Sequence, residues 1–198
     1  MRELSEQNAA EPGAAPRTAQ PARPSAADQV PWVLEDPGAE VRDPHELLLG
    51  YLDWYRRALL RKIDGLSGEQ LRTPVEPFGW APLGLVKHLG WVERRWLRWG
   101  FAAQDVQPYL PGGDEAEWNV AEESTDEVIS GYLAEVQLSS LLAAGAGLGA
   151  PSRTGGRFPA GEQAPSLGRI LFHLLQEYAR HLGQLDMVRE LIDGETGE

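Results

Sequence analysis

Two histidines and a glutamate recur at four-residue steps near the C-terminal end of the sequence: His173, Glu177 and His181. Residues four apart lie on the same face of an α-helix. Imidazole nitrogens and carboxylate oxygens are ligands of divalent transition metals, so this face could form one side of a metal site. The chain has four histidines in all. A third, His88, lies in another amphipathic segment, from which it could complete the site.

Amphipathic helices must position these side chains, and the sequence predicts four of them. Apolar residues recur at three- and four-residue steps in each, and no segment shows the alternation of a half-buried strand. Capping residues and glycines mark the helix ends. Four long helices favour an all-α fold, a four-helix bundle, although the connections are long enough to leave its topology open. The predicted helices begin at Asp43, Trp80, Ser124 and Ser166, and end near Gly65, Trp99, Ala144 and Gly194.

The last predicted helix has one apolar face against which the candidate ligands can be compared. On a helical wheel His181 falls inside the apolar sector, Glu177 at its margin and His173 farther toward solvent. A buried carboxylate is costly unless it is paired or binds a metal, so Glu177 beside an imidazole indicates a metal ligand. The alternative interpretation is a set of half-exposed polar side chains without a metal. The sector consists of Leu171, Leu174, Tyr178, Leu182, Leu185 and Ile192.

The motifs favour one metal ion rather than two. A di-iron bundle places a Glu-x-x-His motif on each of two helices. The second predicted helix has Glu93-Arg-Arg-Trp96 instead, without the histidine. One ion with a mixed set of histidine and carboxylate ligands suits Zn²⁺, Ni²⁺ or Fe²⁺, and open coordination positions indicate catalysis rather than a structural role.

The composition limits the classes of function. The 198 residues carry a net charge of -12, with an isoelectric point near 4.8, which argues against nucleic acid or an anionic membrane as a partner. No apolar run reaches the roughly 18 residues of a membrane span, and no signal peptide is evident, so we expect a cytoplasmic protein. The sequence contains no cysteine. Any thiol chemistry must therefore use a thiol from a substrate or cofactor.

Residues 1–38 differ from the rest of the chain in composition. They are rich in alanine, proline, glutamate and glutamine, and they show no periodicity. Such a segment has too little apolar surface to fold by itself. We therefore predict a disordered tail over residues 1–38 and a helical domain over residues 39–198.

Four stretches of the sequence carry a family resemblance: LGYLDWYRR at 49–57, GWAPLGLVKHLGWVERRW at 79–96, HLLQEYARHLGQ at 173–184 and RELIDG at 189–194. Together they resemble the DinB-like four-helix bundle superfamily, and within it the actinobacterial branch associated with mycothiol S-transferases. The resemblance covers about residues 42–194. It implies an up-down-down-up order of helices, in which the long loop predicted at 101–123 is the crossover between parallel helices.

The resemblance also implies a set of metal ligands. In that superfamily one ion is held by a histidine of the second helix and by two histidines, four residues apart, of the fourth. His88 and His181 match two of these positions, and Glu177 stands at the third, as in this branch. His173 could serve in place of Glu177, but it lies about 12 Å along the helix axis from His181. We therefore assign the ion to His88, Glu177 and His181, with His173 beside them.

Members of the superfamily are associated with metal-dependent transfer or isomerisation that uses mycothiol, bacillithiol or glutathione. We therefore expect a transferase that conjugates a low-molecular-weight thiol, mycothiol, to an electrophilic small molecule. Trp54, Trp91 and Tyr178 are predicted to line the pocket, and Arg95 or Arg180 to hold an anionic group of either reactant.

Gly84, one turn before His88, is predicted to leave room for the thiol. Two other functions stay open. One is a non-catalytic metal- or ligand-binding bundle of a stress response, and the other is a thiol-dependent isomerase of a maleylpyruvate-like acid. The predicted partners are the thiol and the electrophile, with no nucleic acid and no membrane, and the protein is expected to be a monomer or a homodimer.

Overall fold

The long helices predicted from the sequence are all present in the computed structural model, which describes residues 37–160 and 163–196. Short helices lie in two of the connections between them, and the described residues contain isolated β-bridges but no β-strand. The all-α prediction is therefore confirmed. The helices are α1 Pro44–Ile63, α2 Gly68–Arg72, α3 Pro82–Glu93, α4 Asp114–Trp118, α5 Thr125–Ala144 and α6 Leu167–Asp193, and a π-helical segment, Arg94–Phe101, continues α3.

Polar side chains explain where two of the long helices begin. Asp43 caps α1, since its carboxylate accepts the backbone N–H groups of His45 at 2.9 Å and Glu46 at 3.0 Å. Ser124 and Glu127 form a reciprocal capping box at the start of α5, with N···O distances of 2.7 and 3.2 Å. These bonds satisfy N–H groups that have no partner within the helix, so both predicted helix starts are confirmed.

The apolar face of α6 forms one wall of the core. This helix packs mainly against α1 and also touches α3, which in turn packs mainly against α5. The predicted apolar sector of the last helix is confirmed for most of its members, whereas the bundle and its up-down-down-up order stay predictions. The sector residues with no exposed surface are Leu171, Leu174, Tyr178 and Leu185.

Arg189 joins the C-terminal ends of α1 and α6. Its guanidinium donates to the carbonyl oxygen of Lys62 at 2.6 Å and to that of Asp64 at 2.9 Å. It also donates to the carboxylate of Asp193, one turn later on α6, at 2.9 Å. The last carbonyl groups of a helix have no partner within it, so this buried arginine satisfies the end of α1 from a neighbouring helix.

The second long helix differs from its prediction in its last turns. An α-helix was predicted to about Trp99, whereas the structure is π-helical from Arg94 to Phe101. The N–H of Ala102, for example, bonds to the carbonyl oxygen of Leu97, five residues earlier, at 2.9 Å. A π-helical turn is wider than an α-helical one. Side chains after α3 therefore leave the α-helical register on which the prediction depended.

Residues 102–124, here called the strap, connect this helix to α5 and lie against α3. The sequence predicted a loop over 101–123, but the strap contains α4, one short helix that packs on α3. A Cβ atom added to Gly84 would lie 2.5 Å from the carbonyl oxygen of Trp118. The space beside Gly84 was expected to admit a thiol, and that expectation is wrong because the backbone of Trp118 fills it.

Residues 1–36 lie outside the described part of the chain, and with them lies nearly all of the tail predicted over residues 1–38. The start of the helical domain at residue 39 stays a prediction. None of the described helices is both long and apolar enough to cross a membrane.

Candidate metal centre

The three side chains predicted as metal ligands lie together in the structure. His88 comes from α3, and Glu177 and His181 come from successive turns of α6. One nitrogen or oxygen atom of each side chain lies within 4.8 Å of those of the other two. Each side chain is partly buried, with 14% of the two histidines and 25% of Glu177 exposed. The ligand atoms of one tetrahedral zinc ion lie about 3.4 Å apart, so a small inward movement would let all three share an ion.

Each histidine of the centre is held at its Nδ1 atom. The Nδ1 of His181 lies 3.1 Å from Oε1 of Gln184, and its Nε2 lies 3.5 Å from Oε2 of Glu177. The Nδ1 of His88 lies 3.2 Å from Oε2 of Glu117. A histidine whose Nδ1 donates a hydrogen bond leaves Nε2 to bind a metal, which is the usual arrangement of a metal-binding histidine.

Glu117 is a residue of the centre that the sequence did not reveal. It lies on α4 in the strap, and its side chain has no exposed surface. One carboxylate oxygen faces His88, and the other pairs with the buried guanidinium of Arg95. The acidic run after Gly113 does indicate the start of a short helix. No pattern in the sequence shows that this glutamate turns inward.

Both carboxylates at the centre are held in their ionised form. Interaction with His181, whose Nε2 lies 3.5 Å from Oε2, lowers the pKa of Glu177, and the nearby histidines act in the same direction against the opposing effect of burial. Burial acts to raise the pKa of Glu117, but hydrogen bonds from His88 and Arg95 outweigh it and hold the pKa below its ordinary value. The centre therefore offers a cation negative charge from two carboxylates, one of them acting through an imidazole.

Aromatic rings cover the His88 side of the centre. The indole of Trp118 stacks on the imidazole of His88 with centroids 4.3 Å apart and planes 17° apart. The same indole lies 5.8 Å from the ring of His181 and 5.9 Å from that of Trp80. The two imidazoles meet edge to face at 5.3 Å. The strap thus holds His88 at both its Nδ1 atom and its ring face, and Trp118 is a second site residue that the sequence did not reveal.

His173 touches the centre through Glu177. Its Nε2 lies 3.1 Å from Oε1 of Glu177, whereas the other oxygen of that carboxylate faces His181. Burial lowers the pKa of His173, whose ring lies 4.2 Å from that of Trp96. His173 is not among the three residues whose ligand atoms converge. It lies beside the assigned ligands, and its role stays a prediction.

Two of the four residues predicted to bind the cofactor are engaged with other protein groups. Arg95 pairs with Glu117. Tyr178 has no exposed surface, and its hydroxyl donates to Oε1 of Glu93 at 2.9 Å and lies 3.0 Å from the hydroxyl of Tyr132. Either residue would have to exchange its present partner in order to contact a ligand.

The other two predicted contacts are partly buried aromatic side chains. Trp54 packs edge to face on Tyr55, with ring centroids 5.0 Å apart. Trp91 lines a groove between α3 and α5, where the guanidinium of Arg94 lies 4.9 Å from its ring. Arg180, the alternative anchor for an anionic group, is exposed on α6. The role of these residues as contacts of a thiol or an electrophile stays a prediction.

Comparison with known proteins identifies the family. A family model described as Mycothiol-S-transferase matches residues 47–194, which is most of the chain. The chain belongs to this family. The mycothiol S-transferase family is part of the DinB-like superfamily, so the resemblance carried by the four stretches of sequence is confirmed. No curated protein matches the chain.

Membership of the mycothiol S-transferase family agrees with the chemistry of the centre. The family is one of mycothiol-related transferases, and mycothiol is a small thiol. Two imidazoles and one carboxylate form a donor set that suits a divalent transition metal. The chain contains no cysteine, so it offers no thiolate of its own to such an ion or to a reaction.

Proposed function

We propose that the protein is a metal-dependent enzyme that transfers mycothiol to an electrophilic small molecule. The observation that carries this proposal is the convergence of His88, Glu177 and His181 in a chain of the mycothiol S-transferase family. Three protein ligands leave coordination positions open for a reactant, which is typical of catalytic rather than structural sites. The absence of cysteine supports the same function, because the reacting sulfur must then come from the cosubstrate.

The proposed ion would be Zn²⁺, Ni²⁺ or Fe²⁺, and it would lower the pKa of a bound thiol so that the thiolate is present at neutral pH. His88 and His181 would hold it through their Nε2 atoms, and Glu177 through a carboxylate oxygen. Glu117 and Gln184 accept hydrogen bonds at the two Nδ1 atoms and so fix the imidazoles in the orientation that binding needs.

The proposed reaction forms one carbon–sulfur bond. The sulfur of mycothiol gives an electron pair to the electrophilic carbon, and the thiol proton is released. A leaving group, where the electrophile has one, departs with its bonding electrons. An activated double bond instead takes up a proton at the neighbouring carbon. The protein supplies no atom to the product, and its residues bind and orient the two reactants.

Aromatic side chains offer the electrophile an apolar surface beside the ligands. Trp118 and Trp80 lie 5.9 Å apart, and Trp118 also contacts the rings of both ligand histidines. A flat or apolar body of a small molecule would pack against such a surface. We therefore propose an aromatic or other apolar electrophile rather than a highly charged one.

We also propose that the protein acts in the cytoplasm on small molecules, as a monomer or a homodimer. Its net charge of -12 disfavours nucleic acid and anionic membrane surfaces as partners. Size-exclusion chromatography with light scattering would distinguish the monomer from the dimer.

Metal content and turnover test the proposed function. Protein purified without chelators is analysed for metals and then incubated with a chloro-dinitrobenzene or bimane electrophile and with mycothiol, bacillithiol or glutathione. We expect about one transition-metal ion per chain, and conjugation with mycothiol that a chelator abolishes. No metal-dependent conjugation with any of the three thiols would refute the transferase. Metal binding without turnover would favour a binding protein, and conversion of a maleylpyruvate-like acid without net thiol consumption would favour an isomerase.

A further inference from the structure

We propose that Glu117 is a positioning residue for His88 and holds its imidazole in the tautomer whose Nε2 atom is free to bind a metal. The inference rests on the proposed function for the identity of the centre and deepens it by assigning a residue of the strap to that centre. Glu117 lies 29 residues after His88, in a segment that the sequence predicted only as a crossover loop.

The partners of Glu117 leave its carboxylate one favourable arrangement. The side chain has no exposed surface, so both oxygens depend on donors from the protein. One oxygen pairs with the guanidinium of Arg95, which can only donate hydrogen bonds. The other lies 3.2 Å from Nδ1 of His88. Because an ionised carboxylate can only accept, Nδ1 must carry the proton, and the lone pair of the neutral ring is then on Nε2.

Trp118, the residue next to Glu117, keeps the imidazole of His88 in this contact. The indole of Trp118 stacks on the imidazole at 4.3 Å, which restricts rotation of the ring. The carbonyl oxygen of Trp118 fits against Gly84, where there is no space for a Cβ atom. The strap therefore controls the face of the imidazole and its Nδ1 atom together.

Glu117→Gln tests the role of the carboxylate with little change of shape. Arg95 still requires an acceptor, so the amide oxygen must face Arg95 and the NH₂ group must face His88. An NH₂ group only donates, so Nδ1 of His88 becomes the acceptor and the proton moves to Nε2. The nitrogen that would bind the metal is then blocked. Glu115→Gln, at an exposed position of the same short helix, is the matched control.

Nuclear magnetic resonance of the metal-free protein reports the tautomer directly. Long-range proton–nitrogen spectra distinguish the two ring nitrogens of a neutral histidine, at a pH above the ordinary histidine pKa of about 6.5. Signals of His88 are assigned by their loss in His88→Ala. We expect the proton on Nδ1 in the wild type and in Glu115→Gln, and on Nε2 in Glu117→Gln. Competition with a chelator should show zinc affinity about 10–100-fold weaker in Glu117→Gln, and unchanged in the control.

A wild-type spectrum with the proton of His88 on Nε2 would overturn the inference without any variant. The inference is therefore testable even if Glu117→Gln does not fold. A folded Glu117→Gln variant with the wild-type tautomer and wild-type zinc affinity would also overturn it. Neither measurement uses turnover. If the tautomer changes as expected and no thiol is conjugated, the positioning role of Glu117 stands and the proposed function fails.

Discussion

Gly84→Ala should disturb the metal centre without changing a ligand. The added Cβ would lie 2.5 Å from the carbonyl oxygen of Trp118, whereas ordinary contacts of a Cβ atom begin at 3.4 Å. The strap must therefore move away from α3 by roughly 1 Å, because the backbone of a helix cannot yield as a side chain can. Trp118 stacks on His88, so this displacement reaches the imidazole of His88.

Two opposing effects set the expected change in the free energy of unfolding. Replacing a helical glycine by alanine stabilises a helix by about 1 kcal/mol. Forcing an additional methyl group into a packed contact costs about 1–3 kcal/mol. We therefore expect Gly84→Ala to lower the free energy of unfolding by up to about 2 kcal/mol. Loosened support of His88 should weaken zinc binding about tenfold, the lower end of the range for lost contacts to a ligand.

Urea denaturation and chelator competition measure these two effects. Gly131→Ala is the matched control, because it lies in α5 with no atom within 4 Å of an added Cβ. The control should gain up to about 1 kcal/mol of stability and keep its zinc affinity. If Gly84→Ala matched the control in both measurements, the close contact between the strap and α3 would not exist in solution, and the reasoning would be refuted.

Other changes probe the ligands, the core and the helix ends. His181→Ala should abolish metal binding in elemental analysis while His173→Ala retains the ion, and the reverse result would show that the ligand assignment is wrong. Burial raises the pKa of Tyr132 and of Tyr178, so ultraviolet titration should show two phenols that resist ionisation until the chain unfolds. Because folding raises these two pKa values, the contribution of the two neutral phenols to stability is complete below about pH 10 and declines as the pH rises above it. Ionisation of every tyrosine near pH 10 in the folded protein would contradict this prediction. Arg189→Leu should lower the free energy of unfolding by about 1–3 kcal/mol, since carbonyl groups at the end of α1 lose their donor; an unchanged urea midpoint would count against that contact.

The long helices could be predicted because their signals are local. A cap such as Ser124 with Glu127 needs only residues three apart in the sequence, and Gly194 ends α6 with a left-handed φ of 79° that glycine adopts readily. Apolar periodicity also placed His181 near the core face of α6. His88 lies on another helix, α3, and nothing near it in the sequence indicates that it faces α6. Its place in an amphipathic segment made it a candidate, and its assignment as a ligand then depended on the family resemblance.

The strap could not be predicted because its structure depends on contacts distant in sequence. A helix as short as α4 has no room for an apolar period, so no pattern distinguishes its buried Glu117 from the exposed Asp114 and Glu115. Glu117 turns inward because its carboxylate pairs with Arg95 and faces His88. Arg95 itself lies in the π-helical segment, whose register the sequence did not reveal. Tyr178 was predicted to line the pocket together with Trp54 and Trp91. Its hydroxyl is instead satisfied within the core.

A buried polar network accounts for how α6 presents Glu177 and His181. Oε1 of Glu93 accepts from Nε of Arg56 at 2.8 Å and from the hydroxyl of Tyr178 at 2.9 Å, and Tyr132 bonds to that hydroxyl at 3.0 Å. These residues come from α1, α3, α5 and α6. Apolar burial is non-directional and tolerates small rotations of a helix. Rotation of α6, in contrast, would break the hydrogen bond from Tyr178 to Glu93 and leave a buried carboxylate with fewer donors. Glu177 directly precedes Tyr178, about 100° around the helix. The network that orients Tyr178 therefore also sets the direction in which Glu177 meets the histidines.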